Sequence, residues 1–257
     1  MNTQKESIYA TKCGFEAAFA EKSFYDRQTQ DSSHIDSILD ILPIKSGMRI
    51  LDLGTGSGYL AFSLARRYPD VSFTGLDIVE IALEQNRKRT EQEGLKNLSF
   101  SSYDGISFPF EESSFDMVVS RYALHHFPDI HKSLSEVHRV LTEKGCFFIS
   151  DPSPNENDTS GFVDKYMQLK PDGHIRFYTH EEWNKLCSEH GFKLEASFAS
   201  SLCFPRKTGK AYEDLLRSHT KETADGYGIK IVGDEAFITE QVNNILFRRN
   251  SDRTINI

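Results

Sequence analysis

The sequence predicts an α/β protein built on a doubly wound sheet, mostly parallel with an antiparallel last strand. Two observations carry that expectation. Apolar, strand-like runs alternate with helix-like runs from residue 48 to residue 151, the rhythm of consecutive right-handed βαβ units. Glycines and carboxylates gather where those strands end, and doubly wound sheets bind ligands beyond the carboxyl ends of their strands.

The elements follow in order. In "SHIDSILDILPIKSG", Ile35, Ile38, Leu39 and Leu42 recur at helical spacing, and Pro43 and Gly47 end the helix. "MRILDLG" (48–54) is a buried strand, followed by a helix over 58–68 that stops at Pro69-Asp70. "VSFTGLD" (71–77) is the second strand, and residues 78–94 form a helix with Gly94 just past its end. "LSFSSYD" (98–104) and "FDMVVSRYAL" (115–124) are the third and fourth strands. A helix covers 130–142, and "GCFFISD" (145–151) is the fifth strand. Residues 153–178 are rich in Pro, Gly, Asn and Asp and break the rhythm; a loop of that length inside a compact domain is functional or disordered. Residues 179–192 form a helix with Thr179 as N-cap and Gly191 as C-cap, and 193–204 a strand. The stretch 207–236 is ambiguous, with a helix at "GKAYEDLLRSHTKE". "FITEQVNNILFRR" (237–249) fits both templates, with a strand favoured at its end, and the tail after it is frayed.

Bulk properties bound the function. The 257 residues carry a net charge of −8, with 38% hydrophobic and 26% charged residues, as in a soluble protein. That acidic balance disfavours nucleic-acid binding, which needs basic surface. The four cysteines include no C-x-x-C pair and suggest neither a zinc site nor a disulfide framework. No signal peptide and no membrane span are evident, so a cytoplasmic location is expected.

The stretch "ILDLGTGSG" (50–58) sets the chemistry. Asp52 interrupts an apolar strand, and Gly54, Gly56 and Gly58 then fall at alternate positions. Glycines let backbone approach a ligand closely, although a tight βα turn remains an alternative. Asp77, at the tip of the second strand, is placed to accept both hydroxyls of an adenosine ribose, or to act as a plain helix N-cap. The spacing differs from the G-x-G-x-x-G of dinucleotide sites, and Asp52 would repel a pyrophosphate but suit a cation such as the amino end of a methionine. Ser120, Arg121 and Asp151 lie late in the fourth and fifth strands and complete one polar rim.

Here a resemblance becomes specific. "LDLGTGSG" resembles the first motif of class I S-adenosylmethionine-dependent methyltransferases. "GLDIV" (75–79), "YDGISFPFEESSFDMVVSRYALHHFPD" (103–129) and "SEVHRVLTEKGCFFISDP" (135–152) follow in register and resemble the small-molecule branch of the ubiquinone and menaquinone biosynthesis type. The resemblance implies a Rossmann-like methyltransferase fold, S-adenosylmethionine as cofactor and S-adenosylhomocysteine as product. It implies that Gly54, Thr55, Gly56 and Gly58 lie along the methionine part, and that Asp52 orients that loop or the amino group. By the same resemblance Asp77 binds the ribose and Ile78 packs on adenine. Asp104 accepts from the adenine amine beside the Gly105–Ile106 backbone, and Ser120 and Arg121 line the methionine end. The family often has Gly where this chain has Tyr103. Tyr25 is the candidate lid residue, because similar enzymes fold a tyrosine-bearing N-terminal segment over the cofactor.

The expected organisation is an N-terminal helical cap segment (1–47), a cofactor-binding core (48–152) and an insertion over the active site (153–178). The remainder of the core carries a substrate-side insertion (179–249), and a flexible tail follows (250–257). His125 and His126 lie past the fourth strand, where a histidine acts as base, positions the acceptor or merely packs. A metal site from His125, His126 and His131 is disfavoured, since their spacing is no ligand pattern. His174, Arg176 and Tyr178 of "HIRFY" share one side if extended. Aromatics at Tyr25, Tyr122, Phe127, Tyr166, Phe177 and Tyr178 suit a small, partly apolar acceptor, whose identity and methylated atom the sequence leaves open, as it does the oligomeric state. The competing readings are a non-catalytic cofactor-binding module, a nicotinamide-dependent oxidoreductase and an RNA methyltransferase. The glycine spacing opposes the second, and charge the third.

Overall fold

The computed structural model describes residues 4–20, 33–207, 209–233 and 235–250. Helices α1 (Gln4–Ala20) and α2 (Ser33–Ile41) precede β1 (Arg49–Leu53). Then come α3 (Tyr59–Arg67), β2 (Ser72–Asp77), α4 (Glu80–Glu93), β3 (Leu98–Ser102) and β4 (Phe115–Arg121). A single 3-10 turn (Leu124–His126) leads to α5 (Ile130–Val140) and β5 (Leu141–Ser153). The rest is α6 (Phe162–Gln168), α7 (His180–Glu189), β6 (Phe192–Lys207), α8 (Lys210–Ser218), α9 (Lys221–Gly226), β7 (Lys230–Val232) and β8 (Glu235–Arg249).

The strands form one sheet in the order β3-β2-β1-β4-β5-β8-β6, with β7 paired to β8. The first five strands in that order pair in parallel, and β8 runs antiparallel to both β5 and β6. The expected sheet, mostly parallel with an antiparallel last strand, is the sheet observed. Alternation along each strand divides the core between two faces. Leu51 and Leu53 join Val118, Phe147 and Phe247 on one face. Ile50 joins Met117, Phe148 and Leu246 on the other.

Local chemistry explains the boundaries. Gly94 ends α4 in the left-handed conformation, and Thr179 starts α7 through a capping box with Glu182. His190 is the C-cap of α7, with Gly191 one residue beyond at φ 80°. Three expectations are corrected. Residues 153–178 are not all loop: α6 forms there because Phe162, Val163, Tyr166 and Met167 bury one face, and Asp158 accepts the Phe162 and Val163 amides at 2.7 and 2.8 Å. The ambiguous stretch resolves into two short helices and β7 rather than one helix and a loop. Residues 235–249 are strand throughout, not only at the end. Tyr25 and residues 251–257 of the tail lie outside the described residues.

Candidate active site

The acid inside β1 has a structural task. Asp52 lies opposite Gly75 of β2 and is buried beneath the glycine loop. Thr55 Oγ1 donates to its Oδ2 at 2.7 Å, and the Ala61 amide in the first turn of α3 donates as well. A carboxylate at a helix N-terminus satisfies donors the helix leaves unpaired. A side chain on Gly75 would stand 2.8 Å from Thr55 Oγ1, so glycine there keeps the contact open. Burial pushes the Asp52 carboxyl up to about 6. Of its two expected roles, Asp52 is placed to orient the loop; it does not reach the cleft wall.

The loop is tied to β2 as well. The Gly56 amide donates to Asp77 Oδ2 at 2.8 Å and the Val79 amide to Asp77 Oδ1 at 3.0 Å. Asn86 of α4 donates to the Gly56 carbonyl at 2.8 Å. Gly56 sits at φ 50°, and a Cβ there would meet nothing closer than Phe19 at 3.8 Å, standing in the cleft itself. Gly54 serves close packing: its Cβ would lie 2.3 Å from that of Ala123. Burial raises the pKa of Asp77, against the lowering effect of the Gly56, Val79 and Ile78 amides.

These parts wall a cleft at the carboxyl ends of β1, β2 and β4. Of the residues the sequence singled out, Gly54, Thr55, Gly56, Asp77, Ile78, Gly105 and Arg121 line it. Four of the expected residues do not: Asp52, Gly58, Asp104 and Ser120. Ser120 is buried, with its Oγ donating to the Leu53 carbonyl at 2.8 Å. Asp104 is exposed, and its Oδ1 accepts the Ile106 and Ser107 amides, both at 2.8 Å, so it forms a turn while Tyr103 and Gly105 supply the wall. Arg121 stacks on Tyr59, 4.1 Å from the ring centroid, and on Tyr122 at 4.8 Å. Its Nε also donates to His34 Nδ1 at 3.4 Å. Tyr122 holds the left-handed conformation at φ 54°, a strained state for an aromatic residue, and faces the cleft.

Helix α1 closes the cleft with Ile8, Thr11, Phe15 and Phe19. The sequence reading named none of them, although they recur every three or four residues.

A second cavity adjoins the cleft and shares Phe15, Tyr122, His126 and Phe204 with it. His125 and His126, from the turn after β4, lie on its wall with His174 and Phe177 from the segment after α6. Burial, reinforced by the neighbouring His125 imidazole, holds His126 well below the ordinary imidazole range, so its ring is neutral. His125 Nδ1 lies 2.9 Å from Asp151 Oδ1. Burial drives the Asp151 carboxyl well above the ordinary range. The "HIRFY" segment is split: His174 and Phe177 face the cavity, Arg176 pairs with Glu182, and Tyr178 packs on Trp183 at 4.7 Å. Tyr178 therefore drops out of the expected chamber, while Tyr166 and Phe177 line it and Phe127 lines the cleft. His131 pairs with His190 at 3.0 Å, away from the other two histidines.

Residues 44–213 match a family model described as a methyltransferase domain. This chain belongs to the methyltransferase-domain family. It is 31% identical over 141 residues to the uncharacterized methyltransferase YcgJ of Bacillus subtilis, covering 54% of this chain and 55% of that protein. The demethylmenaquinone methyltransferase of Thermus thermophilus is 33% identical over 125 residues, 49% of this chain and 56% of that protein. The ubiquinone/menaquinone biosynthesis C-methyltransferase UbiE of Dinoroseobacter shibae is 30% identical over 172 residues, 65% and 69% respectively. The chain thus spans about half the length of the first two relatives. The solved YcgJ structure aligns with a TM-score of 0.73 at 22% identity, over 85% of this chain and 98% of that one, and shows the same fold.

The methyltransferase family and fold imply S-adenosylmethionine as cofactor and S-adenosylhomocysteine as product. The cleft residues fit that group. Asp77 lines the cleft with its oxygens fixed by backbone amides, and a carboxylate's four lone-pair sites leave capacity for a ribose hydroxyl. The position of a Gly56 side chain is left open, Ile78 and Tyr103 offer apolar wall, and Arg121 supplies a cation for a carboxylate. No helix among the described residues is long and apolar enough to cross a membrane.

Proposed function

We propose that the protein transfers a methyl group from S-adenosylmethionine to a small, partly apolar acceptor held in the second cavity. The observation that supports this most is the shared wall: Phe15, Tyr122, His126 and Phe204 line both the cofactor-shaped cleft and its neighbour. When bound, the cofactor supplies an already activated methyl group. The protein's work is then to hold the acceptor in line and exclude water, and orientation alone supplies much of the acceleration. In this reading Asp77 holds the ribose, Ile78 and the Gly105 backbone border the adenine, and Arg121 and the Gly54–Gly58 loop hold the methionine end. Helix α1 excludes water from both cavities. Residues 48–152 are the cofactor-binding core, residues 1–47 its cap and residues 153–178 the segment that builds the acceptor chamber.

Two measurements test the proposal. Calorimetric titration should show S-adenosylmethionine binding and no NAD binding; the reverse result overturns the reading. Incubating the protein and methyl-labelled cofactor with a cell extract should transfer label to a small molecule, identified by mass spectrometry. Label confined to nucleic acid or protein would remove the small-molecule acceptor.

A further inference from the structure

Three imidazoles meet in the second cavity. The His125 ring centroid lies 4.2 Å from that of His126 and 5.3 Å from that of His174. Two of these rings are backed by carboxylates from different elements. Asp151 of β5 holds His125 Nδ1 at 2.9 Å. Asp164 of α6 holds His174 Nε2 at 2.8 Å and also accepts the Phe177 amide at 2.8 Å. A carboxyl group behind an imidazole fixes its orientation and tautomer. A core histidine needs one polar partner to be satisfied. Two carboxylate-backed imidazoles directed into one cavity form an arrangement suited to proton transfer and polar recognition together.

Resting on the methyl-transfer reading above, we propose that the acceptor is a hydroxyl compound methylated on oxygen, with His125 taking the hydroxyl proton and His174 holding a second polar atom of the same molecule. An unprotonated amine attacks through its own lone pair, whereas a hydroxyl is a poor nucleophile until its proton leaves. The step balances: the O–C bond forms, the S–C bond breaks with its electron pair left on sulfur, and the hydroxyl proton passes to His125 Nε2. Asp151 fixes the orientation of the His125 ring and acts as a positioning residue. The walls favour a flat body. Tyr122, Tyr166, Phe177 and Phe204 are aromatic, and the charged groups on the wall are the Lys170–Asp172 pair at 2.8 Å and the buried Glu240.

The test uses 1,2-dihydroxybenzene as probe and 2-aminophenol as competitor. Titration of the protein loaded with S-adenosylhomocysteine should show binding of the diol, and labelled S-adenosylmethionine should convert it to the methyl ether. His125→Gln should lower kcat about 100-fold or more with little change in KM. Asp151→Asn should follow it in kcat, and added imidazole should restore part of the rate to His125→Gly. His174→Gln should raise KM about 10-fold with kcat nearly unchanged. Loss of S-adenosylhomocysteine binding by the wild type would overturn the methyltransferase reading itself. With that binding intact, the hydroxyl proposal is overturned by failure to bind the diol, by binding without ether formation, by preferred methylation of the aminophenol nitrogen, or by wild-type kcat in His125→Gln. Should His125→Gln fail to fold, the diol titration and the His174→Gln KM still decide.

Discussion

The Asp77 carboxylate accepts the Gly56 amide at 2.8 Å, so the acid at the tip of β2 and the glycine loop after β1 act as one unit. Ligand recognition and loop conformation therefore rest on the same side chain. Asp77→Ala should weaken S-adenosylmethionine binding about 10- to 100-fold, the loss expected for hydrogen bonds to a charged partner. It should also lower the melting temperature by a few degrees, because the Gly56 and Val79 amides lose their acceptor. Calorimetry and thermal melting measure the two effects, and an unchanged affinity would refute the ribose assignment.

The loop glycines should separate in their effects. Gly54→Ala places a Cβ 2.3 Å from that of Ala123 on a backbone at φ 72°, so in urea denaturation it should cost about 1–3 kcal/mol of overpacking in addition to about 1–2 kcal/mol for the left-handed backbone. Gly56→Ala meets only Phe19 at 3.8 Å, so its stability loss should be limited to about 1–2 kcal/mol for the left-handed backbone. Its larger effect should fall on cofactor affinity. Equal affinity losses in the two variants would count against Gly56 as the open floor of the cleft.

Asp52 predicts an inverted pH dependence. Its folded pKa of about 6 lies above the ordinary carboxylate value, so the folded state binds the proton more tightly than the unfolded chain. Its contribution to stability is greatest below about pH 4, falls as pH rises towards 6, and stays low above that. Asp52→Asn keeps an acceptor for Thr55 and removes the titration. The wild type should therefore lose roughly 2–3 kcal/mol relative to the variant between pH 4 and 6.5. Denaturation curves across that range measure it, and a flat difference would show that Asp52 is not desolvated in solution.

Helix α1 docks through two glycines. A Cβ on Gly14 would lie 2.1 Å from the Pro171 carbonyl oxygen, and one on Gly173 would lie 2.1 Å from Thr11 Oγ1. Gly14→Ala should lift α1 off the 171–173 turn while leaving the sheet intact. Hydrogen exchange should then accelerate within residues 4–20 and remain slow in β1, β4 and β5. Unchanged protection of α1 would mean that the helix is held elsewhere.

The sequence carried the sheet from β1 to β5 because each strand there is a short apolar run ending in a polar or glycine residue. It was less clear about β8, and the reason is burial. Ile245 and Phe247 pack into one face of the sheet and Leu246 into the other, so the alternation that marks a half-exposed strand is lost. Helix α8 was legible through Tyr212, Leu215 and Leu216 at helical spacing, whereas α9 is six residues long, buries none of them and leaves a weak pattern. The cofactor side of the site was legible because glycine spacing and strand-end acids are local signals. The chamber was not: His125 and Asp151 are 26 positions apart, and β4 and β5 bring them together only as neighbours in the sheet. Ser120 and Asp104 illustrate the converse, since a polar residue near a strand end can spend its hydrogen bonds on its own backbone surroundings.

Strand β8 lies between β5 and β6 yet follows both in the chain. During synthesis, β6 leaves the ribosome before the strand that must separate it from β5. The nascent chain therefore carries two open sheet edges, on β5 and β6, until residues 235–249 emerge to join them. Completion of the sheet waits on a late insertion, and that interval is when the chain is most exposed to mispairing with other copies of itself.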